Sequence, residues 1–301
     1  MISVVLPTYN GEKHIESAVR SILKQTYDDF ELIIVDDCST DKTSDIIQKL
    51  AAEDTRIRII HNMVNQKLPK SLNIGFENAK GTYFTWTSDD NIYHDDAFEK
   101  MIAELDHNQE VDIVYALYNL INDDGEIIGE VTGEKCGISC MYHHDPVGAC
   151  FLYRRQVHEK LRGYDENRFL IEDYDFWLRA YRSFKYQLIP KKLYDYRVHG
   201  TSLTSNHGNQ IETATVNRII EEMEVVRFTD DDYLMAYKRI IPYYYYQRNE
   251  LLLKKYAKKM QEISKDEYHK LPTCIRIGAK CGIVFGRVYS KFFVEKEKRC
   301  S

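Results

Sequence analysis

Two acidic pairs, Asp89-Asp90 and Glu172-Asp173, are the residues of this sequence best suited to group-transfer chemistry. A leaving diphosphate needs its charge neutralised. A hard divalent cation held by one or two carboxylates does this while keeping positions open for phosphate oxygens. Asp90, in Ser88-Asp-Asp-Asn91, is the candidate ligand, with Asp89 beside it on the donor side. Transfer to a hydroxyl also needs a base within reach of the proton it removes. Asp173, in Ile171-Glu-Asp-Tyr-Asp-Phe-Trp177, is that candidate. Either pair alone reads more simply as a solvated turn or as acids at a helix N-terminus; the two together argue for a site.

Three further segments could complete it. Asp36 and Asp37 follow an apolar run, where α/β nucleotide sites place an acid against the base or ribose. Pro7-Thr8-Tyr9-Asn10 follows another such run and could line the same pocket, with Tyr9 stacking on a base. In Tyr196-Arg-Val-His-Gly-Thr-Ser202, Arg197 could clamp phosphate and His199 could ligate metal. An Arg-x-His pair by itself is usually a surface loop.

These residues need elements to hold them. Ile2 to Leu6, Phe30 to Val35 and Ile57 to His61 read as strands, separated by helical patterns through Ile15, Val19 and Ile22 and through Ile46, Ile47 and Leu50. A helix around Ser71 to Ala79 leads through Gly81 into the strand Tyr83 to Trp86, and Asp89-Asp90 lie just past its end. Such alternation predicts a parallel sheet with crossover helices, whose carboxyl edge is where ligands bind. A helix Asp96 to Leu105, a strand Asp112 to Tyr118 and an Asn122-Asp-Asp-Gly125 turn open a more mixed half running to about residue 205. From Asn209 onward the pattern is helical. The expected domains are therefore 1–205, divided into a donor half 1–91 and an acceptor half 92–205, and a helical extension 206–301.

With 301 residues, 44% apolar and 29% charged, the chain is long and apolar enough for a substantial core. No basic leader or long hydrophobic segment precedes the first strand, so a cytoplasmic protein is expected. The seven cysteines lack paired spacing, and reduced thiols are expected. The net charge of -6 is uneven. Residues 233–301 carry 16 Lys+Arg against 6 Asp+Glu, or +10, which leaves -16 for the remainder. No nucleic-acid partner is expected. The tail, Leu271 to Arg299, reads as a helix with a basic stripe (Arg276, Lys280, Arg287, Lys291) beside an apolar one, suited to the inner face of the cell membrane. The competing reading packs it on the chain's own helical extension or into a homodimer seam.

Taken together these motifs resemble the family 2 glycosyltransferases with the GT-A fold. The resemblance rests on Val4-Val-Leu-Pro-Thr-Tyr-Asn10 with Gln25, on Val35-Asp-Asp-Cys-Ser-Thr-Asp41, on Leu72-Asn73, Gly75 and Gly81, on Asp89-Asp90, on Glu172-Asp173 and on Tyr196-Arg-x-His199. It implies a Rossmann-like nucleotide-binding half with a mixed sheet, and inverting transfer from a nucleotide diphosphate-sugar, UDP-linked by preference, to a glycan or lipid-linked acceptor. By the same resemblance Pro7, Thr8, Tyr9 and Asp37 meet the nucleotide, Asp90 holds Mn²⁺ or Mg²⁺, His199 lies near metal and diphosphate, Lys70 approaches phosphate or uracil, and Asp173 is the base. Ser88 stands where the family's Asp-x-Asp motif usually has its first Asp, which leaves metal binding mainly to Asp90. The absence of a Gln-x-x-Arg-Trp motif points to single-sugar addition rather than processive synthesis. A dinucleotide oxidoreductase is excluded because the first loop lacks G-x-G-x-x-G. A nucleotidyltransferase or a non-catalytic sugar-binding module is the remaining alternative.

Overall fold

The computed structural model describes residues 1–133 and 137–283. The strands are β1 (Ile2–Thr8), β2 (Phe30–Asp36), β3 (Ile57–His61), β4 (Tyr83–Trp86), β5 (Ile92–Tyr93), β6 (Ile113–Ile121), β7 (Ile127–Val131), β8 (Phe151–Arg154) and β9 (Tyr186–Arg197). The helices are α1 (Ile15–Leu23), α2 (Thr43–Glu53), α3 (Leu68–Glu77), α4 (Ala97–His107), α5 (Arg155–Leu161), α6 (Glu172–Tyr181), α7 (Leu203–Val225), α8 (Asp230–Tyr246), α9 (Glu250–Ile263), α10 (Lys265–Lys270) and α11 (Thr273–Cys281). Two compact units result. The first comprises the described residues to Ile138 together with Pro146–Ile211, and the second Ser139–Asp145 with the described residues from Glu212.

The first unit is built on one mixed sheet in the order β3-β2-β1-β4-β8-β6-β9-β5, with β7 paired to β6. β1 pairs in parallel with both β2 and β4, and β2 with β3. Every residue of β1 and β2 is buried, as their near-continuous apolar runs require for strands covered on both faces. Helix α1 turns Ile15, Ala18, Val19 and Ile22 inward. The first unit is thus a Rossmann-like parallel half continued by a mixed sheet, and the elements after β9 are all helical among the described residues.

Several ties hold the two ends of this sheet together. Gln25, just past α1, donates from Nε2 to the His94 carbonyl at 2.7 Å, and its Oε1 accepts the Phe98 N–H at 2.9 Å. β5 pairs antiparallel with β9, placing Ile92 opposite Asp195. Asp195 accepts from Asn119 Nδ2 at 2.8 Å and lies 2.9 Å from His94 Nε2. The β5–β9 pairing brings the end of β4 to the end of β9.

In the second unit, helix α11 ends where Gly282 takes φ +99°, a left-handed conformation that glycine accepts without a Cβ clash. One helix over the whole of Leu271 to Arg299 is therefore not formed, because its path breaks at Gly282. The part of that reading beyond residue 283 lies outside the described residues. Gly278 is buried against Tyr245 of α8, where a Cβ would stand 2.8 Å from the ring, and Ile275 is buried too. The described part of the tail thus packs on the chain's own helices. Among the described residues no helix is long and apolar enough to cross a membrane. The thiols also need a correction. Cys38, Cys150, Cys274 and Cys281 are free, but Cys140 is disulfide-bonded.

Candidate active site

The chain leaving β4 carries Asp89 and Asp90 to the carboxyl edge of the sheet, where Asp89 meets Thr8 at the end of β1 and Asp90 meets Arg197 and His199 at and beyond the end of β9. The Thr8 hydroxyl, at the end of β1, donates to Asp89 Oδ2. The loop after β1 then passes so close that a Cβ at Gly11 would collide with Asp89 Oδ2. Burial pushes the Asp89 carboxyl up to about 7, the Thr8 bond opposing and the neighbouring Asp90 charge adding.

Asp90 meets His199, its Oδ2 lying 2.8 Å from Nε2. His199 Nδ1 lies 2.7 Å from the Thr201 hydroxyl. The Thr201 hydroxyl can donate to Nδ1, which leaves Nε2–H to donate to Asp90 Oδ2; without that proton, Nε2 and the carboxylate are both free to act as ligands. Asp90 Oδ1 is buried and has no hydrogen-bond partner. A buried carboxylate oxygen without a donor fits a hard cation, and the Asp90–His199 pair fits as its protein ligands. Among the described residues no group of three or more His, Cys, Asp or Glu side chains is arranged around a metal position. The remaining coordination would fall to diphosphate oxygens and water.

Arg197 braces this pair. Its backbone N–H donates to Asn91 Oδ1 at 2.7 Å and its Nε to the Asp90 carbonyl at 2.9 Å. Nη1 donates to the carbonyls of Asn122 and Asp123, at 2.7 and 2.9 Å. Expected as a phosphate clamp, Arg197 is 5% exposed, and these bonds tie three loops together. Its positive charge nevertheless stays beside Asp90. Asp123 lies 2.9 Å from Lys13 Nζ and 3.2 Å from His14 Nε2, which adds the start of α1 to the assembly.

On the nucleotide side, Pro7 and Thr8 are buried in β1, whereas Tyr9 is half exposed and available for stacking. Both carboxylate oxygens of Asp37 are engaged. Oδ1 accepts from Asn62 Nδ2 at 2.8 Å and from the Gln66 N–H at 2.7 Å, and Oδ2 accepts from the Lys67 N–H at 2.9 Å. Asp37 therefore shapes the loop 62–67, whose last residue, Lys67, is held at φ +72°. Asp36 is likewise engaged, with Ser39, Ser44 and His61. Lys70, near the start of α3, lies 3.9 Å from Glu166.

The base side lies at the N-terminus of α6. Asp173 Oδ1 accepts the Tyr174 N–H at 2.7 Å. Burial raises the Asp173 carboxyl above its ordinary value. Glu172 beside it is 5% exposed and is raised too, first by burial and then by the charge of Asp173. Tyr196 of β9, next to Arg197, has its hydroxyl 3.5 Å from that of Thr204. Sequence reasoning missed the work of Asn73, whose side chain pairs with the Tyr164 backbone in both directions at 2.9 Å and so fixes the approach to α6. A polar residue on the apolar side of a helix was the available signal. Sequence reasoning named Asn91 and Asn122 only within their turns and did not foresee their contacts with Arg197, which depend on β9.

Comparison with known proteins bears on this geometry. The model of the family described as Glycosyl transferase family 2 matches residues 3–162. An uncharacterized glycosyltransferase of Rickettsia typhi is 32% identical over 70% of this chain and 68% of its own length. Among solved structures, Staphylococcus aureus TarS in complex with UDP-GlcNAc is similar over 98% of this chain and 92% of its own, with a TM-score of 0.70 and 16% identity. A mannosyltransferase from Pyrobaculum calidifontis, in complex with GDP-Man and Mn²⁺, is similar over 97% and 87%, with a TM-score of 0.62 and 14% identity. At such identities the two structures speak for the fold.

Proposed function

The chain belongs to glycosyl transferase family 2 and is a glycosyltransferase, and from that premise we propose inverting, metal-dependent transfer of a sugar from a nucleotide diphosphate-sugar, UDP-linked as the first choice, to a hydroxyl of a glycan or lipid-linked acceptor in surface polysaccharide or glycoconjugate synthesis. One observation carries the reading: the Asp90–His199 contact with its unpartnered Asp90 oxygen, placed at the carboxyl edge of β4. The nucleotide-sugar complexes of the two structural neighbours support the substrate class.

In this mechanism Pro7, Thr8 and Tyr9 receive the nucleoside, and Asp37 holds the 62–67 loop around it. Lys70 and Arg197 contribute positive potential to the diphosphate, and Asp89 accepts the Thr8 hydroxyl and so fixes the β1 exit against the donor. When bound at Asp90 and His199, Mn²⁺ or Mg²⁺ supplies the charge that stabilises the departing diphosphate. Asp173 takes the proton of the acceptor hydroxyl as that oxygen attacks the anomeric carbon. Its Oδ1 accepts the Tyr174 N–H, which leaves Oδ2 to take the proton. One base and no protein nucleophile give a single displacement with inversion. The testing experiment is a thermal-shift screen of UDP- and GDP-sugars with Mn²⁺. A donor at a hundred times its dissociation constant raises stability by about 2.7 kcal/mol, and no shift with any donor would count against the reading.

A further inference from the structure

Asp173 stands in the first turn of α6, and several hydrogen bonds that seat this helix converge on one turn of chain, residues 161–164. From α6 itself, Arg179 donates from Nη1 to the Leu161 carbonyl at 2.8 Å and from Nη2 to the Gly163 carbonyl at 2.9 Å. Its Nε donates to Asp175 Oδ2 at 2.7 Å, and Asp175, two residues past Asp173, is 2% exposed. From α3, Asn73 meets the next residue of the turn. Its Nδ2 donates to the Tyr164 carbonyl and its Oδ1 accepts the Tyr164 N–H, both at 2.9 Å. The approach is close: Gly163 takes φ +74°, and a Cβ there would stand 2.7 Å from Asn73 Oδ1, so conformation and space both require glycine. The Tyr164 ring then stacks on Phe176 of α6 at 4.7 Å.

The helix that carries Asn73 begins at the donor side. Asp37 accepts the Gln66 and Lys67 N–H groups, at 2.7 and 2.9 Å, and α3 starts at Leu68. A helix has a fixed rise of about 1.5 Å per residue, so Asn73 stands at a set distance from the loop that Asp37 shapes. Such a link matters for a general base, which acts only within hydrogen-bond reach of its proton. A misplacement of about 1 Å can lower a rate by about 10²-fold.

We propose that Asn73 and Arg179 are positioning residues for Asp173: through the 161–164 turn they set the first turn of α6 against α3, and hence against the donor loop. The inference rests on the functional reading above and adds how the base is held relative to the donor. Both residues act through Asp173 and neither touches substrate.

The test is a double-mutant cycle on the full chain with Mn²⁺ and UDP-glucose, UDP-GlcNAc or GDP-mannose. Turnover is read as nucleoside diphosphate release and donor affinity by titration calorimetry. Asn73→Ala should lower kcat by about tenfold to a hundredfold with donor affinity unchanged. In an Asp173→Asn background the same substitution should lower the residual turnover little further, because no base is left to misplace. Arg179→Lys keeps a charge beside Asp175 but lacks the fork that reaches both carbonyls. It should behave alike, and it serves as the second variant where Asn73→Ala fails to fold. An equal loss with and without Asp173, a matching loss of donor affinity, or an unchanged kcat in both folded variants overturns the positioning role and leaves the functional reading standing. Near-normal turnover of Asp173→Asn removes the base and the positioning role together. If wild type neither binds nor turns over any of the three donors, the functional reading fails and the positioning role with it.

Discussion

His199 Nε2 lies 2.8 Å from Asp90 Oδ2, although 109 residues separate the two in sequence. The contact depends on the β5–β9 pairing and on Arg197, which lies two residues before His199; its main chain bonds Asn91 and its guanidinium bonds the Asp90 carbonyl. Asp90→Asn should abolish Mn²⁺-dependent donor binding, because a neutral amide is a poor ligand for a hard cation. His199→Ala should weaken it less, since the carboxylate remains. Calorimetry with and without Mn²⁺ measures both, and unchanged Mn²⁺ dependence in Asp90→Asn would remove that residue from the site.

Asp173→Asn should lower kcat by about 10²-fold to 10⁴-fold while donor affinity is retained, as expected when a general base is lost. Steady-state rates of nucleoside diphosphate release, read against donor titrations, separate the two effects. Near-normal turnover would exclude Asp173 as the base.

The pH dependence follows from the same carboxyl. A base works deprotonated, and burial raises Asp173 above its ordinary value of 3.8. The acidic limb of kcat/KM should therefore fall at a higher pH than an exposed aspartate would give. Glu172 provides a stability test. Its folded value is raised above 4.5, so its contribution is fully present below 4.5 and is lost as pH rises through the raised value. Glu172→Gln removes that titration. The melting temperature of the variant should gain on wild type as pH rises from 6 to 9, and parallel curves would contradict the assignment.

Arg197→Met should loosen the Asp90 loop and the 122–123 turn together. Hydrogen bonds to a charged group are worth about 1.5–3 kcal/mol each, so the variant should melt several degrees lower and bind Mn²⁺ and donor more weakly even when folded. Normal metal affinity in a folded variant would reduce Arg197 to a purely structural brace.

Much of the donor half was legible in the sequence because its strands are buried on both faces and read as unbroken apolar runs. Ile2 to Leu6 and Phe30 to Val35 stand out for that reason, and the Asp89-Asp90 pair falls where the resulting topology places ligands. β9 was not legible. It carries Pro190, Lys191 and Lys192, and its register against β6 shifts between Ala116 and Tyr118, so no alternation marks it. Without β9, the Tyr196 to His199 segment reads as a surface loop, and the contact of His199 with Asp90 was accessible only through family resemblance.

The most direct measurement is proton NMR of the first sugar released when the protein, Mn²⁺ and an accepted α-configured sugar nucleotide are mixed, with water serving as acceptor before mutarotation proceeds. The account predicts that the β-anomer appears first, and that chelation of the metal or the Asp90→Asn substitution stops its appearance. An α-anomer as first product, or release at an undiminished rate without divalent metal, would contradict it.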